Sequence, residues 1–125
     1  MWPALIERIM DDLDRHLPLT SKVFHVLLAM RQDEQHGYGL KKAIRDRTGG
    51  TIDLDPGGLY RLVARLEQDG CIASVEAPDS EDDPRRRYYA LTDLGLAILR
   101  REARRLSEMT AWDDVVELAN EGGSA

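Results

Sequence analysis

Three consecutive arginines, Arg85, Arg86 and Arg87, run directly into Tyr88 and Tyr89. Adjacent cations of this kind cannot occupy a buried strand, because burying unpaired charge is very costly. They need a partner rich in negative charge, and the phosphate backbone of a nucleic acid is such a partner. Side chains alternate along a strand, so the pattern predicts Arg85 and Arg87 on one face and Arg86 on the other. The alternative is a solvated strand paired with a neighbouring acidic loop.

A second candidate for nucleic-acid contact is the helix predicted to start at Pro56, with Asp55 as its N-cap. Its apolar positions recur at helical spacing and must face the core, which leaves Arg61 and Arg65 together on one outer face. Backbone N–H groups at the helix N-terminus can approach a phosphate, aided by the helix dipole. The residues predicted to reach DNA from this helix are Gly57, Gly58, Tyr60, Arg61 and Arg65. An ordinary amphipathic surface helix, with Tyr60 half-buried, is the alternative.

A third group precedes these, at the start of a helix opened by residues 36–39 and ended by Gly49 and Gly50. Tyr38, Lys41 and Lys42 lie there, and the lysines are predicted to anchor phosphates. A solvated basic face is the alternative for them.

The remaining elements must hold these groups in place. Periodicity predicts a helix over residues 3–16, then a second helix capped by Thr20. Residues 51–54 form a candidate mini-strand, residues 71–75 a strand, residues 78–84 an exposed acidic loop, and residues 86–91 the return strand. A single helix over residues 93–119 would span about 40 Å.

Apolar side chains along the first and last helices repeat at three- and four-residue steps. An apolar stripe on a projecting helix predicts self-association. The residues predicted to form the dimer contact are Trp2, Leu5, Ile9, Leu99, Ala103, Leu106, Met109, Trp112 and Val116.

The bulk composition limits the function classes. The net charge is −6, but acidic and basic residues form separate clusters, so the charge total does not exclude DNA binding. No apolar run approaches the roughly 20 residues of a membrane span. The single cysteine, Cys71, fits a reducing cytoplasm and is predicted to be packed and inert. The three histidines show no metal-binding spacing and no phosphate-binding loop is present, so we expect neither an enzyme nor a metal or other cofactor.

Four segments together resemble the PadR family of bacterial transcriptional regulators. They are residues 36–41 (HGYGLK), 56–60 (PGGLY), 66–72 (LEQDGCI) and 85–95 (RRRYYALTDLG), in order and at the family's usual spacing, and the resemblance covers residues 19–99. It implies a mainly α (α+β) winged helix-turn-helix protein over residues 19–92. An N-terminal helix over residues 1–18, a long C-terminal dimerisation helix over residues 93–120 and a short tail over residues 121–125 complete the chain.

The resemblance also implies a homodimeric repressor of transcription that binds double-stranded DNA at a palindromic operator. Small-molecule inducers are frequent in the family, and Trp112 and Met109 are the residues predicted to contact one; packing in the dimer core is the plainer role for Trp112. A protein of another class, a winged-helix module that binds protein and not DNA, is the alternative function.

Two positions depart from the family pattern. Gly58 stands where the family usually has Ser or Thr, and Asp55 where it often has Ser. The loop over residues 79–83 (DSEDD) is acidic, whereas DNA-binding wings are usually basic. This acid either folds back onto the three arginines and weakens their grip on DNA, or it points into solvent.

Overall fold

The computed structural model describes residues 2–33 and 36–122. The side chain of Trp2 and the last three residues of the predicted tail lie outside the described residues. The elements are α1 (Trp2–Asp14), α2 (Ser21–Gln32), α3 (Gly37–Arg47), α4 (Pro56–Gln68), β1 (Ile72–Val75), β2 (Tyr88–Leu91), α5 (Asp93–Thr110) and α6 (Asp113–Asn120). Apart from the mini-strand predicted over residues 51–54, the predicted order of helices and strands is confirmed up to α5.

Side-chain caps start the helices at the predicted places. Thr20 accepts a hydrogen bond from the Val23 N–H at 3.2 Å, and the Nδ1 atom of His36 accepts one from the Gly39 N–H at 3.2 Å. Each of these bonds satisfies a backbone donor that has no partner within its helix. The caps fix where α2 and α3 begin.

The core lies where α2, α3, α4, β1 and α5 meet. Its fully buried side chains include Val26, Leu27, Leu40, Ile72 and Ile98. Because α4 gives Leu59, Val63 and Leu66 to this core, its other faces remain available for contact with a partner.

The mini-strand predicted over residues 51–54 is absent; this segment is a bend. The Thr51 N–H donates to the Thr48 carbonyl, and the backbone groups of Ile52 and Leu54 bond to side chains, not to a neighbouring strand. The Thr48 hydroxyl accepts from the Ile52 N–H at 3.1 Å, and the Lys41 ammonium donates to the Leu54 carbonyl at 2.9 Å. The alternation of Ile52 and Leu54 reflects packing against the core, not a strand.

The two strands pair antiparallel, with Ile72 opposite Leu91 and Ser74 opposite Tyr89. The return strand starts at Tyr88, later than predicted, so the three arginines lie in the turn and loop that lead into it. Asp83 holds this turn: its carbonyl accepts from the Arg86 N–H and its carboxylate from the Arg85 N–H. The alternation predicted for the arginines therefore does not apply.

The predictions of one long helix over residues 93–119 and of a single C-terminal dimerisation helix over residues 93–120 are wrong. This part of the chain forms two helices, because Trp112 has extended backbone angles (φ −62°, ψ 137°) and is the N-cap of α6. Asp113 and Asp114 follow in the first turn of α6, where the helix dipole favours carboxylates. The 18 residues of α5 span only about 27 Å.

Leu99 is wrongly assigned to the dimer contact. It is 2% exposed and packs in the core of its own chain, on the inward face of α5 beside Ile98. Of the other predicted contact residues, Leu106 and Met109 are half-buried, while Leu5, Ile9, Ala103, Trp112 and Val116 are exposed.

The start of α5 is joined tightly to the end of α4. The Thr92 N–H donates to the Cys71 carbonyl at 3.1 Å, and the Thr92 hydroxyl donates to the Gly70 carbonyl at 2.6 Å. Gly95 is buried against the same backbone: a Cβ there would stand 2.0 Å from the Cys71 carbonyl oxygen. Only glycine permits this approach of α5 to the α4–β1 turn.

One buried carboxylate ties the linker between α1 and α2 to α5. Glu102 is 1% exposed and accepts hydrogen bonds from the Leu19 N–H at 2.7 Å and from the Arg105 guanidinium. The Arg105 bond, more than the Leu19 bond, holds the pKa of Glu102 below its ordinary value.

Candidate nucleic-acid interface

One groove brings together the three groups predicted from the sequence. It is bordered by the N-terminus of α3, one face of α4 and the arginine segment before β2. We call it the basic groove. Its lining includes Tyr38, Lys41, Tyr60, Arg85, Arg86 and Arg87, together with Glu67 and Tyr89. Lys42, Gly57, Gly58, Arg61 and Arg65 lie outside it.

Two tyrosines of the basic groove are open to solvent. Tyr38 is 67% exposed and Tyr60 is 76% exposed. The half-buried packing considered for Tyr60 is therefore wrong. Both phenol rings are free to contact a partner that approaches the groove.

Lys41 is bound within its own chain. Its ammonium lies 2.7 Å from a carboxylate oxygen of Asp53 and 2.9 Å from the Leu54 carbonyl oxygen. The same bond to Lys41 lowers the pKa of Asp53. The lysine thus fixes the segment before α4, while Lys42 is exposed and stays a candidate phosphate anchor.

The N-terminus of α4 already contains an anion. Asp55 accepts a hydrogen bond from the Gly58 N–H at 2.8 Å, and this bond lowers the pKa of Asp55. The Gly58 N–H is therefore not available to a phosphate in this arrangement, contrary to our expectation. Arg61 lies over this turn, with its Nη1 atom 3.4 Å from where a Cβ on Gly57 would stand.

Arg65 is one turn further along α4. Its guanidinium lies 3.4 Å from the Asp69 carboxylate, but 75% of its side chain remains exposed. An exposed ion pair of this kind is weak, so it leaves Arg65 available to a partner.

Of the three consecutive arginines that line the basic groove, two form ion pairs with the acidic loop over residues 79–83. Arg85 lies 3.2 Å from Asp83, and Arg86 lies 3.3 Å from Glu81. The acidic loop was expected either to fold back onto the arginines or to point into solvent. Glu81 and Asp83 fold back onto the arginines, whereas Asp79 and Asp82 are exposed.

Glu81 makes the central contacts of the acidic loop. Its side chain is only 8% exposed, so the prediction of an exposed loop does not hold for this residue. Its carboxylate accepts from the Tyr88 hydroxyl at 2.5 Å and from the Asp83 N–H at 3.0 Å. These two bonds, with a smaller contribution from Arg86, lower the pKa of Glu81. The Tyr88 ring in turn packs edge-on against His36 at 5.1 Å, which connects the loop to the start of α3.

Arg87 is held differently from its two neighbours. It donates to the Ser74 hydroxyl at 3.1 Å and lies 5.9 Å above the Tyr89 ring. Ser74 itself donates to Glu67 of α4 at 2.9 Å. Within the described ranges, no carboxylate forms an ion pair with Arg87. Its charge is the least compensated of the three.

Sequence reasoning missed Glu67 and Ser74. Their contact joins α4 to the sheet, and Ser74 reaches Arg87 only because β1 and β2 pair in the observed register. Nothing in the spacing of residues 67, 74 and 87 indicates this.

Cys71, Met109 and Trp112 lie outside the basic groove. Cys71 is buried, and burial raises the pKa of its thiol, as a packed, inert cysteine requires. Trp112 is 55% exposed, and Met109 is half-buried with its sulfur 3.0 Å from Arg105. Their role in ligand binding stays a prediction.

No group of three or more His, Cys, Asp or Glu side chains in residues 2–33 and 36–122 is placed to hold a metal ion. None of the helices that the structure describes is long and apolar enough to cross a membrane.

The fold is that of winged-helix transcriptional regulators. A PadR-like regulator from Bacillus cereus matches with a TM-score of 0.65 at 23% identity, over 78% of this chain and 90% of that one. Bacillus subtilis PadR in complex with operator DNA matches with a TM-score of 0.57 at 20% identity, over 67% of this chain and 47% of that one. A transcriptional regulator from Clostridium thermocellum has a TM-score of 0.60 at 22% identity, over 82% and 92% of the two chains.

The chain belongs to the transcriptional regulator PadR-like family, whose sequence profile matches residues 26–101. The resemblance seen in the sequence is confirmed, and the family is one of regulators and not of enzymes. An uncharacterized protein of Lysinibacillus sphaericus is 27% identical over 97 residues, 78% of this chain and 85% of that protein. A second, from a transposon of Streptomyces fradiae, is 33% identical over 85 residues, 68% of this chain but only 23% of the longer protein.

Proposed function

We propose that this PadR-family regulator represses transcription by binding double-stranded DNA as a homodimer at a palindromic operator. The observation that carries the proposal is the basic groove, where α3, α4 and the arginine segment converge. The complex of Bacillus subtilis PadR with operator DNA supports it, because that protein shares the fold.

In the proposed complex, α4 enters the major groove. Its exposed Tyr60, Arg61 and Arg65 face the DNA, and two copies of α4 reach grooves about 34 Å apart. Arg87, already oriented by Ser74 and Tyr89, contacts the flanking phosphates. Arg85 and Arg86 join only after they exchange Asp83 and Glu81 for phosphate.

The dimer is supported by exposed apolar side chains on α1, on α6 and at the N-cap of α6. Leu5, Ile9, Trp112 and Val116 are 46%, 51%, 55% and 44% exposed. Leu5 and Ile9 are one helical turn apart, as are Trp112 and Val116, and exposed apolar side chains that share a helix face mark a contact with another protein. A second copy of the chain is the partner that a two-fold operator requires.

Fluorescence anisotropy with the promoter DNA of the protein's own gene tests the proposal. Affinity should fall steeply as salt rises, because each phosphate contact releases counterions. Arg61→Ala or Arg87→Ala should reduce the slope of log K against log salt by about one. Arg100→Ala, an exposed arginine on α5 away from the basic groove, is the control and should leave the slope unchanged. Absence of binding at low salt would refute the proposal.

The alternative, a winged-helix module that binds protein and not DNA, is favoured by the two ion pairs of the acidic loop. It predicts no promoter binding at any salt concentration.

Light scattering after size-exclusion chromatography tests the dimer. Ile9→Glu and Val116→Glu place a charge on each apolar face and should yield a monomer. Lys42→Glu, on the exposed side of α3, is the control and should remain dimeric. A wild-type monomer at micromolar concentration would contradict the homodimer.

A further inference from the structure

A cleft of about 480 Å³ lies between α5 and the turn that follows α1, on residues separate from the basic groove. Arg101, Arg104 and Arg105 form one wall, and Leu17 and Pro18 form the other. Asp14 and Glu108 complete the lining. Like charges one turn apart on a helix repel, so an anion bound beside these three arginines offsets their repulsion.

Two of the three guanidinium groups are held in position by carboxylates. The Nε atom of Arg101 lies 2.6 Å from Asp14, and Arg105 bonds the buried Glu102. Their side chains are 33% and 38% exposed, so both still reach the cleft. Each arginine has five N–H donors, and the Nη2 group of Arg101 has no acceptor among the described residues.

Arg104 is exposed and, within the part of the chain that the structure describes, forms no ion pair or hydrogen bond. It stands between Arg101 and Arg105 on the same helix. Glu108, one turn further along α5, is the carboxylate best placed to oppose a bound anion or to compete for Arg104. The charge that is not compensated in the cleft is therefore that of Arg104.

We propose that this cleft binds a small anion through Arg104 and the free donors of Arg101. A carboxylate or a phosphate group fits, because the guanidinium fork matches two oxygens of either. Leu17 and Pro18 receive a short apolar part of the ligand. Glu108 limits the affinity by its negative charge.

The location gives the site a regulatory consequence, which rests on the proposed function. The cleft lies between α5 and the chain leaving α1, and α1 presents part of the proposed dimer contact. An anion bound there pulls Arg101 and Arg104 toward the α1–α2 linker. It changes DNA binding only if it prefers one arrangement of α1 over another.

Isothermal titration with inorganic phosphate and with butyrate, at constant ionic strength balanced by chloride, tests the site. Saturable binding of either anion is expected. Butyrate binding the tighter identifies a carboxylate with an apolar part, and phosphate binding the tighter identifies a phosphate group. Arg104→Ala should weaken binding about tenfold, in keeping with the loss of one charged hydrogen bond.

Two further variants make the test specific. Glu108→Gln should tighten binding, because it removes the opposing charge. Arg100→Ala, on the same helix but outside the cleft lining, should leave affinity unchanged. Lack of saturation by both anions, or equal weakening by Arg104→Ala and Arg100→Ala, would overturn the proposal.

Titration needs no DNA, so its failure is distinct from failure of the proposed function. If the anion binds and promoter affinity stays the same, the site stands and its regulatory role is refuted. If promoter DNA does not bind at all, the titration still decides the site.

Discussion

The carboxylate of Asp55 occupies the space that a side chain on Gly58 would need. Asp55 Oδ2 accepts the Gly58 N–H at 2.8 Å, and a Cβ on residue 58 would stand 2.7 Å from Asp55 Oδ1. Asp55 and Gly58, the two positions that depart from the family pattern, therefore form a single capping arrangement. In this chain, a carboxylate cap and a glycine together begin the helix proposed to read DNA.

This arrangement predicts strong coupling between the two positions. Gly58→Ala should displace Asp55 and lose its cap, which is worth about 1 kcal/mol. In an Asp55→Ala background the same change should be neutral or stabilising, because alanine favours a helix over glycine by up to about 1 kcal/mol. Urea unfolding of the four proteins measures the coupling. Equal effects of Gly58→Ala in both backgrounds would show that the carboxylate is not what excludes a side chain.

Gly95→Ala should destabilise the protein by more than about 2 kcal/mol, since overpacking against rigid backbone is costly. Its Cβ would stand 2.0 Å from the Cys71 carbonyl oxygen, and neither backbone can yield alone. Gly37→Ala is the matched control, because nothing lies within 4 Å of its Cβ position. Thermal unfolding should separate the two variants clearly, and a Gly95→Ala protein as stable as the control would disprove the close approach.

Protonation of Glu102 should contribute to the loss of folding stability at acid pH. Its pKa is lower in the folded chain than its ordinary 4.5, because Arg105 and the Leu19 N–H bond the charged form. The unfolded chain therefore takes up the proton first, and the stabilisation present above pH 4.5 is lost as the pH falls through the folded pKa. Asp53, Asp55, Glu81 and Asp83 are shifted in the same direction and add to the slope.

Glu102→Gln should remove its share of this acid dependence. It should also cost about 2 kcal/mol at neutral pH, because Arg105 loses a charged acceptor. Urea unfolding across the acid range gives both quantities. Glu108→Gln, an exposed carboxylate on the same helix, should leave the pH profile unchanged. An unaltered profile for Glu102→Gln would contradict the assignment.

Glu81→Gln should strengthen binding to promoter DNA at low salt, because it releases Arg86 from its carboxylate. The salt slope should become steeper by about one phosphate contact. The Tyr88 hydroxyl can still donate to the glutamine carbonyl, so the loop should keep its conformation. Asp79→Asn removes an equal charge from an exposed position of the same loop and is the control. An equal gain from both variants would indicate a general charge effect and not the release of Arg86.

Much of the fold follows from local signals. Thr20, Asp55 and Thr92 are each followed by an apolar helical pattern, and each proves to be the cap of a helix. The break in the last helix was not predictable in this way. The apolar steps 109, 112 and 116 continue across it, and a periodic pattern does not report the backbone angles of one residue such as Trp112.

The residue types at the site could be predicted from the sequence, but the contacts between those residues could not. The basic and aromatic residues of the basic groove were identified because charge and exposure can be read from residue types. The partners of those residues depend on tertiary register, as Glu81 with Arg86 and Ser74 with Arg87 show. The assignment of Leu99 to the dimer contact was wrong for the same reason, because an apolar stripe does not show whether it packs against its own chain or against a partner.

The contact of Thr92 and Gly95 with the Gly70–Cys71 backbone has a consequence for how a signal could reach DNA. It joins the end of α4 to the start of α5 through hydrogen bonds and a backbone approach that only glycine allows. Because these contacts couple the two helices, we expect a tilt of α5 to reorient α4 with it. In the proposed homodimer, a signal that tilts α5 acts by changing the distance and angle between the two α4 helices, and therefore the spacing of half-sites that the dimer fits.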